Sequence, residues 1–509
     1  MKALRLDGSN LTVGVLARAA CGEYQVELSD TGLERMRRAR ALVDRVIEQR
    51  VPVYGVTTGL GARSSEALDA HTLQEFSIQT LRGRAQAMGS KAPREIVRAA
   101  MIVRANTMLT GYSGARPQVA LHLAACLNAN LTPVVGEVGS IGAADLVQNA
   151  TLGLALIGEG EMQDASGEIG PSADKMRAYG ITPLTLGPKD GLALANHTGF
   201  SSGAAALACH AAEVAFEVAQ TAASLSLEAF RANLTPFKHS VLAAKPLPGQ
   251  SLVAAGLRAR LEGSLLWDEK HARRLQDPLS YRNICQIHGA TASALEQARL
   301  VVEIEANGSS DNPIALIESD EIISCGNYYT AELGQGIEGI SRAIASQAMA
   351  QLSRMSKLLH PDFSGLPAFL AQENSGSNGF APVMKTAEAW LAKLVHAAQP
   401  VPIWPSINAN GVEDCLPNSP QSISALSTAV ECMRHMNALE LLIAAQAIEL
   451  RACQVEMAPF VQGTFAMVRT HAKALTIDRS FGCDVDGLVQ VMRAGASSAL
   501  FPVCAMSRK

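Results

Sequence analysis

A tyrosine set among glycines is the pattern in this chain best suited to moving a proton. Tyr54 is followed by Gly55, Gly59 and Gly61, and a second glycine-punctuated stretch carries Gly136, Gly139 and Gly142. Glycine at such density opens backbone conformations that other residues resist, and loops held by a scaffold often carry function. A phenol titrates near about 10, so Tyr54 serves as a base only in positive surroundings. Its other role is that of a buried tyrosine anchoring its loop. The second stretch reads Gly139-Ser-Ile-Gly-Ala-Ala-Asp-Leu146, with Ser140 as its one hydroxyl. Lys385 lies in Gly379-Phe-Ala-Pro-Val-Met-Lys, on a helix face that reads as apolar. An ammonium there loses hydration unless it is paired, and Glu413 is a candidate partner. Ten cysteines are scattered with no CxxC and no His/Cys cluster at metal-ligand spacing, so no metal and no disulfide framework are expected.

The elements that must position these residues are helices. The chain has 509 residues, 48% of them apolar and only 4% aromatic, with Ala and Leu dominant. That composition favours helices packed on helices. A net charge of −4 gives no electrostatic reason to expect nucleic acid or an anionic membrane. The start shows no apolar signal segment and no long uncharged apolar run follows, so a cytoplasmic protein is expected. The first 200 residues mix short helices with glycine-rich loops. Segments 204–232, 290–306, 336–360, 383–398 and 422–456 carry apolar residues at three- and four-residue spacing. The stretch from Ser422 through Glu456 predicts one helix of about 50 Å. Pro400-Val-Pro-Ile-Trp-Pro405 is a rigid break. The expectation is a mainly α fold, an elongated bundle of long helices with a loop-rich N-terminal catalytic domain. The division falls at 1–203 and 204–509.

A series of motifs resembles the histidine/phenylalanine ammonia-lyase family. Tyr54-Gly-Val-Thr-Thr-Gly-Leu-Gly61 is similar to that family's Tyr-Gly-Ile-Asn-Thr-Gly-Phe-Gly loop. Gly111-Tyr-Ser-Gly-Ala-Arg116, Leu156-Ile-Gly-Glu-Gly160 and Lys189-Asp-Gly-Leu-Ala-Leu-Ala-Asn196 follow in order. Gln276-Asp-Pro-Leu-Ser-Tyr-Arg282, Glu305-Ala-Asn-Gly-Ser-Ser-Asp-Asn-Pro313, Gly326-Asn-Tyr-Tyr329 and Glu413-Asp414 complete the series. The resemblance implies a homotetramer whose active sites take loops from several subunits. It also implies roles. Tyr54 would be the catalytic base, and Arg282, with Gln276 beside it in the motif, would hold the substrate carboxylate. Asn196 would make a polar contact there or cap a turn, and Glu413 would close the far end of the pocket. Lys385 falls near a pocket-lining helix of the family.

The departures are equally informative. The family signature Gly-Ser-Val-Gly-Ala-Ser-Gly-Asp-Leu cyclises at Ala-Ser-Gly into an electrophilic methylidene-imidazolone, MIO. Here Ala143-Ala144-Asp145 is one residue shorter, with no Ser to dehydrate and no Gly nitrogen to close the ring. Ser140, in Ser-Ile-Gly, does not fit the cyclisation pattern. No MIO is therefore expected. Leu279, Arg84, Thr57 and Tyr329 stand where the family, or its histidine enzymes, carry Tyr, His, Asn and His.

MIO bonds to the amine through its lone pair, which turns a poor leaving group into a good one. A trimethylammonium has no N–H to lose and no lone pair to offer, and it leaves as a neutral amine. The missing group and a betaine substrate therefore fit together. The chain is most similar to those family members that cleave ergothioneine, the trimethylbetaine of 2-thiohistidine, to thiourocanate and trimethylamine. On this reading Tyr54 removes the β-proton, Lys385 with Glu413 holds the ring or sulfur, and Tyr328 and Tyr329 wall the cation. The competing expectations are an ammonia lyase acting on histidine or a related amino acid, an elimination on another betaine, and an inactive paralogue with a binding role.

Overall fold

The computed structural model describes residues 2–59, 70–373 and 375–494. Leu60 and Gly61, the last residues of the Tyr54 motif, lie outside them. The fold is mainly α, with a few strands of two to five residues. It divides into two compact units. The first comprises Met1–His210, Ala298–Ile337 and Val401–Ile423, and the second Ala211–Gln297, Glu338–Pro400 and Ser424–Lys509. The expected break at 203/204 instead falls inside a continuous helix, Gly199–Phe230. The chain returns to the first unit twice, and local composition does not mark those returns.

In the first unit, strands Lys2–Leu6 and Tyr24–Leu28 pair in parallel across the helix Val13–Ala20. Ser29 starts the helix Asp30–Glu48 by accepting a hydrogen bond from the Gly32 amide at 3.1 Å. The helix Arg94–Met108 is buried from Val97 onward. It carries Arg104, which meets both oxygens of Asp311 at 2.7 and 2.9 Å. Such a bidentate pair satisfies two charges that would otherwise be costly to bury. It ties the helix to the segment leading from Asn307 to Pro313. Strands Met88–Lys91 and Gly136–Val138 run antiparallel and lead into the altered loop. A Cβ at Gly136 would stand 2.5 Å from the Met88 carbonyl oxygen, so only glycine fits the pairing.

The second unit holds most of the length of the long helices, which lie close to the expected segments. Ala331–Leu359, Val383–Ala397 and Ser419–Arg451 answer to 336–360, 383–398 and 422–456. The last begins three residues early and stops at Ala452, whose φ of 50° is left-handed. Within this unit Arg354 and Glu440, both fully buried, pair at 2.6 Å, and Ser226 donates to the same Glu440 oxygen at 2.7 Å. Tyr281 stacks on Phe230 with ring centroids 4.1 Å apart and donates to the Arg354 carbonyl. Among the described residues no helix is long and apolar enough to cross a membrane, and no acid, His or Cys cluster is placed to hold a metal.

Candidate active site

The altered loop joins the strand Gly136–Val138 to the helix Leu146–Leu156. It turns through four positive φ angles, at Gly139 (156°), Gly142 (83°), Ala144 (67°) and Asp145 (45°). Two of these are non-glycine residues, which hold such angles only where surroundings enforce them. The enforcement is visible. Thr330 donates its amide and hydroxyl to the Gly142 carbonyl at 3.2 and 2.6 Å. The Asn418 amide donates to the Ile141 carbonyl at 3.0 Å, and the Ala144 amide donates to the Tyr328 carbonyl at 3.1 Å. A Cβ at Gly142 would meet Ser419 Oγ at 2.6 Å.

Asp145 anchors the loop from beneath. Its fully buried carboxylate accepts from Ser140 Oγ at 2.5 Å, the Ser201 amide at 2.7 Å and Ser201 Oγ at 2.6 Å. Burial raises its pKa, and the Ser140 and Ser201 hydrogen bonds pull it back. Behind it lies Glu305, which accepts from Thr198 Oγ1 at 2.9 Å. Burial pushes Glu305 up to about 7, with the nearby Asp145 adding to the rise. An MIO ring needs a hydroxyl to eliminate and a nitrogen to close on. Ala144 presents a methyl in place of a hydroxyl, and the nitrogen after it belongs to Asp145 rather than glycine; the Ala144 N–H donates to the Tyr328 carbonyl, and its own carbonyl accepts from the His197 amide and Asn149 Nδ2, each at 3.2 Å. The residues present do not fit that group.

Tyr54 sits half-buried in a tight turn. The amides of Val56, Thr57 and Thr58 converge on the Val53 carbonyl at 3.1, 3.0 and 3.2 Å. Thr57 Oγ1 accepts from the Val53 amide at 2.8 Å and donates to the Val51 carbonyl at 2.6 Å. The threonine that replaces the family asparagine thus closes the turn itself. Three elements bring charge to this turn. Arg84 follows the helix Ala70–Arg82 and donates to its Thr80 carbonyl at 3.3 Å. Tyr328 is tied by its carbonyl to the altered loop. Glu413 is fixed by its amide to the Asn408 carbonyl at 3.2 Å, past a turn where Ala409 and Asn410 have φ of 50° and 57°. Burial lowers the Arg84 pKa, against the pull of Tyr54 and Glu413. Burial raises that of Tyr328, and Tyr54, Glu413 and Cys325 add to it. Arg84 and Tyr328 therefore each lie within electrostatic reach of both Tyr54 and Glu413.

The other expected site residues are placed less centrally. Tyr329 is 39% exposed, and its charged neighbours are Asp414 and Cys415. Asn196 closes the helix Asp190–Ala195 and donates from Nδ2 to the Asn312 carbonyl at 3.4 Å. Gln276, Arg282 and Lys385 belong to the second unit. Gln276 is exposed. Arg282 ends the short helix Leu279–Arg282 and keeps a buried Nε with no hydrogen-bond partner among the described residues. Lys385 is exposed in the first turn of Val383–Ala397, so the burial expected for it is not found within this chain. Spacing alone gave Arg84 no role; a charge at a family histidine position, beside a glycine loop, was the available signal.

Comparison with known proteins gives consistent results. A family model described as aromatic amino acid lyase matches residues 11–470. Histidine ammonia-lyase from Deinococcus radiodurans is 35% identical over 468 residues, covering 91% of this chain and 88% of that protein. The enzyme of the same name from Symbiobacterium thermophilum is 32% identical over 496 residues, 97% of each chain. Among solved structures, ergothionase from Treponema denticola in complex with desmethyl-ergothioneine sulfonic acid aligns with a TM-score of 0.92 at 26% identity, covering 97% of this chain and 99% of that one. Histidine ammonia-lyase from Trypanosoma cruzi aligns with a TM-score of 0.89 at 27% identity, covering 97% and 94%.

Proposed function

For a chain that belongs to the aromatic amino acid lyase family, we propose the elimination of trimethylamine from ergothioneine to give thiourocanate, without an MIO group. The observation that carries this reading is Ala144, a methyl on a fully engaged backbone where the family's ring forms. The close alignment with the Treponema denticola ergothionase supports it. In the reaction, Tyr54 takes the β-proton. The C–H electron pair becomes the new double bond, and the C–N pair departs with neutral trimethylamine. The thioimidazole takes up charge as it develops. Lys385, with Glu413, holds the ring or sulfur and stabilises that charge electrostatically. Arg282, with Gln276 and Asn196, fixes the carboxylate, and its Nε, which has no hydrogen-bond partner among the described residues, is a donor suited to it. Tyr328 and Tyr329 face the cation. A homotetramer in the cytoplasm belongs to the same reading.

Ammonia release from histidine is the second reading, favoured by the 35% identity to a histidine ammonia-lyase. Parallel incubation with ergothioneine and histidine separates the two. The expected result is a rising thiourocanate absorbance with ergothioneine and no urocanate from histidine. Urocanate from histidine alone refutes the betaine reading. Tight ligand binding without turnover of either marks an inactive paralogue.

A further inference from the structure

Three arginines of the second unit gather on one turn of backbone. The short helix Pro361–Ser364 ends at Gly365, whose φ of 65° is left-handed. The last carbonyls of a helix have no amide of that helix left to accept from. Here guanidiniums supply the donors. Arg274 Nη2 donates to the Asp362 carbonyl at 2.5 Å, Arg273 Nη2 to the Phe363 carbonyl at 3.1 Å, and Arg451 Nη2 to the Ser364 carbonyl. A Cβ at Gly365 would stand 2.1 Å from Arg273 Nη1, so the bare backbone is what lets that guanidinium lie against it. A fourth cation joins them. Lys357 Nζ stands 4.4 Å from the centroid of the Phe363 ring, and Arg274 Cζ stands 5.1 Å from the same centroid.

Four positive charges thus meet at one helical turn, and none of them forms an ion pair with a carboxylate among the described residues. The carboxylates of these segments are turned elsewhere. Asp277 accepts from the Asn233 amide at 2.7 Å, and Asp362 Oδ2 lies 3.9 Å from His360 Nδ1. Capping the carbonyls uses one N–H each of Arg273 and Arg274, of the five that a guanidinium offers, and the buried Arg274 Nε has no partner among the described residues. Burial, and next the charge of Arg273, lower Arg451 to about 10; burial, and then Arg274 and Arg231, lower Arg273. Like charges held this close repel, and an anion placed among them converts the repulsion into binding. Arg273 and Gly365 are exposed, so the cluster is open to solvent within this chain.

We infer that Arg273, Arg274, Arg451 and Lys357 form a binding site for a doubly charged oxyanion of the phosphate class. Guanidinium forks match its several oxygens, and its charge suits a cluster with no carboxylate of its own. The inference does not depend on which substrate the chain cleaves.

The test titrates inorganic phosphate into the full-length protein, with sodium chloride holding the ionic strength constant, and follows Tm. The expected result is a Tm that rises and levels off as a single site fills. Arg273→Gln and Arg274→Gln each weaken the apparent Kd at least about tenfold. Arg37→Gln, which removes an exposed charge paired with Glu34 at 2.9 Å, leaves it unchanged. A rise that never levels off, or one equal in wild type and in both site variants, overturns the inference. Where the variants do not fold, calorimetric titration of wild type decides, and no saturable uptake of phosphate overturns it equally. Glycerol phosphate in a parallel titration separates the two sources of this chemistry: preference for it assigns the site to a phosphate ester, and preference for phosphate assigns it to the free ion.

Discussion

Substituting Glu305 with Gln should make the protein more stable at alkaline pH and leave it unchanged in acid. Glu305 accepts from Thr198 Oγ1 at 2.9 Å and Ser202 Oγ at 3.5 Å. Burial, with Asp145 and Glu332 adding, raises it from 4.5 to about 7. A raised carboxyl contributes its full stability below the unfolded value near 4.5 and loses it as pH climbs through about 7. At about 1.4 kcal/mol per unit, that rise corresponds to roughly 3 kcal/mol. Partial exposure of the side chain reduces this to roughly 2. Glutamine keeps the acceptor oxygen and removes the titration. Thermal unfolding at pH 5 and pH 8 reads the result. Each kcal/mol shifts Tm by about 2–4 °C in a unit of 150–250 residues, so the variant gains several degrees over wild type at pH 8 and about a quarter as much at pH 5. An equal Tm difference at the two pH values, or a loss at pH 8, refutes the assignment of Glu305 as a buried, protonated acid.

Other outcomes follow from the same contacts. Gly142→Ala places a Cβ at φ 83°, 2.6 Å from Ser419 Oγ. The backbone strain alone is about 1–2 kcal/mol. Turnover should fall about tenfold or more while helical circular dichroism is retained, and unchanged kinetics would show the loop to be slack. Arg354→Leu strands the buried Glu440 and should lower stability by about 3–5 kcal/mol, with Arg354→Leu/Glu440→Leu recovering part of it in denaturant melts. Tyr54→Phe should reduce turnover by about 10²–10⁴-fold with assembly unchanged in size-exclusion chromatography; retained turnover removes Tyr54 from the chemistry.

The helices were legible because burial writes an apolar stripe at helical spacing into the chain. Their ends were less so. Ser419–Arg451 stops at Ala452, a residue with no helix-breaking character, in a left-handed conformation that the sequence does not announce. The unit boundary was hidden for a different reason. Residues 298–337 and 401–423 rejoin the first unit through long-range pairs such as Arg104–Asp311, which span 207 positions and leave no local trace. At the site, motif order singled out Tyr54, Tyr328 and Glu413, all of which belong to the first unit. Asn196 instead turns its amide to the Asn312 carbonyl. Glu305 was missed as a participant because what matters about it is its surroundings: it is buried against hydroxyls more than 100 residues away. The missing serine was the most informative local signal, since its chemistry depends on residue identity alone.

The most direct test of the central claim is trimethylamine release from ergothioneine by a sample whose intact mass has first been recorded. The account predicts trimethylamine and thiourocanate from protein whose mass is that of the uncyclised chain. A mass lower by two waters, with ammonia released from histidine and no trimethylamine, would contradict it.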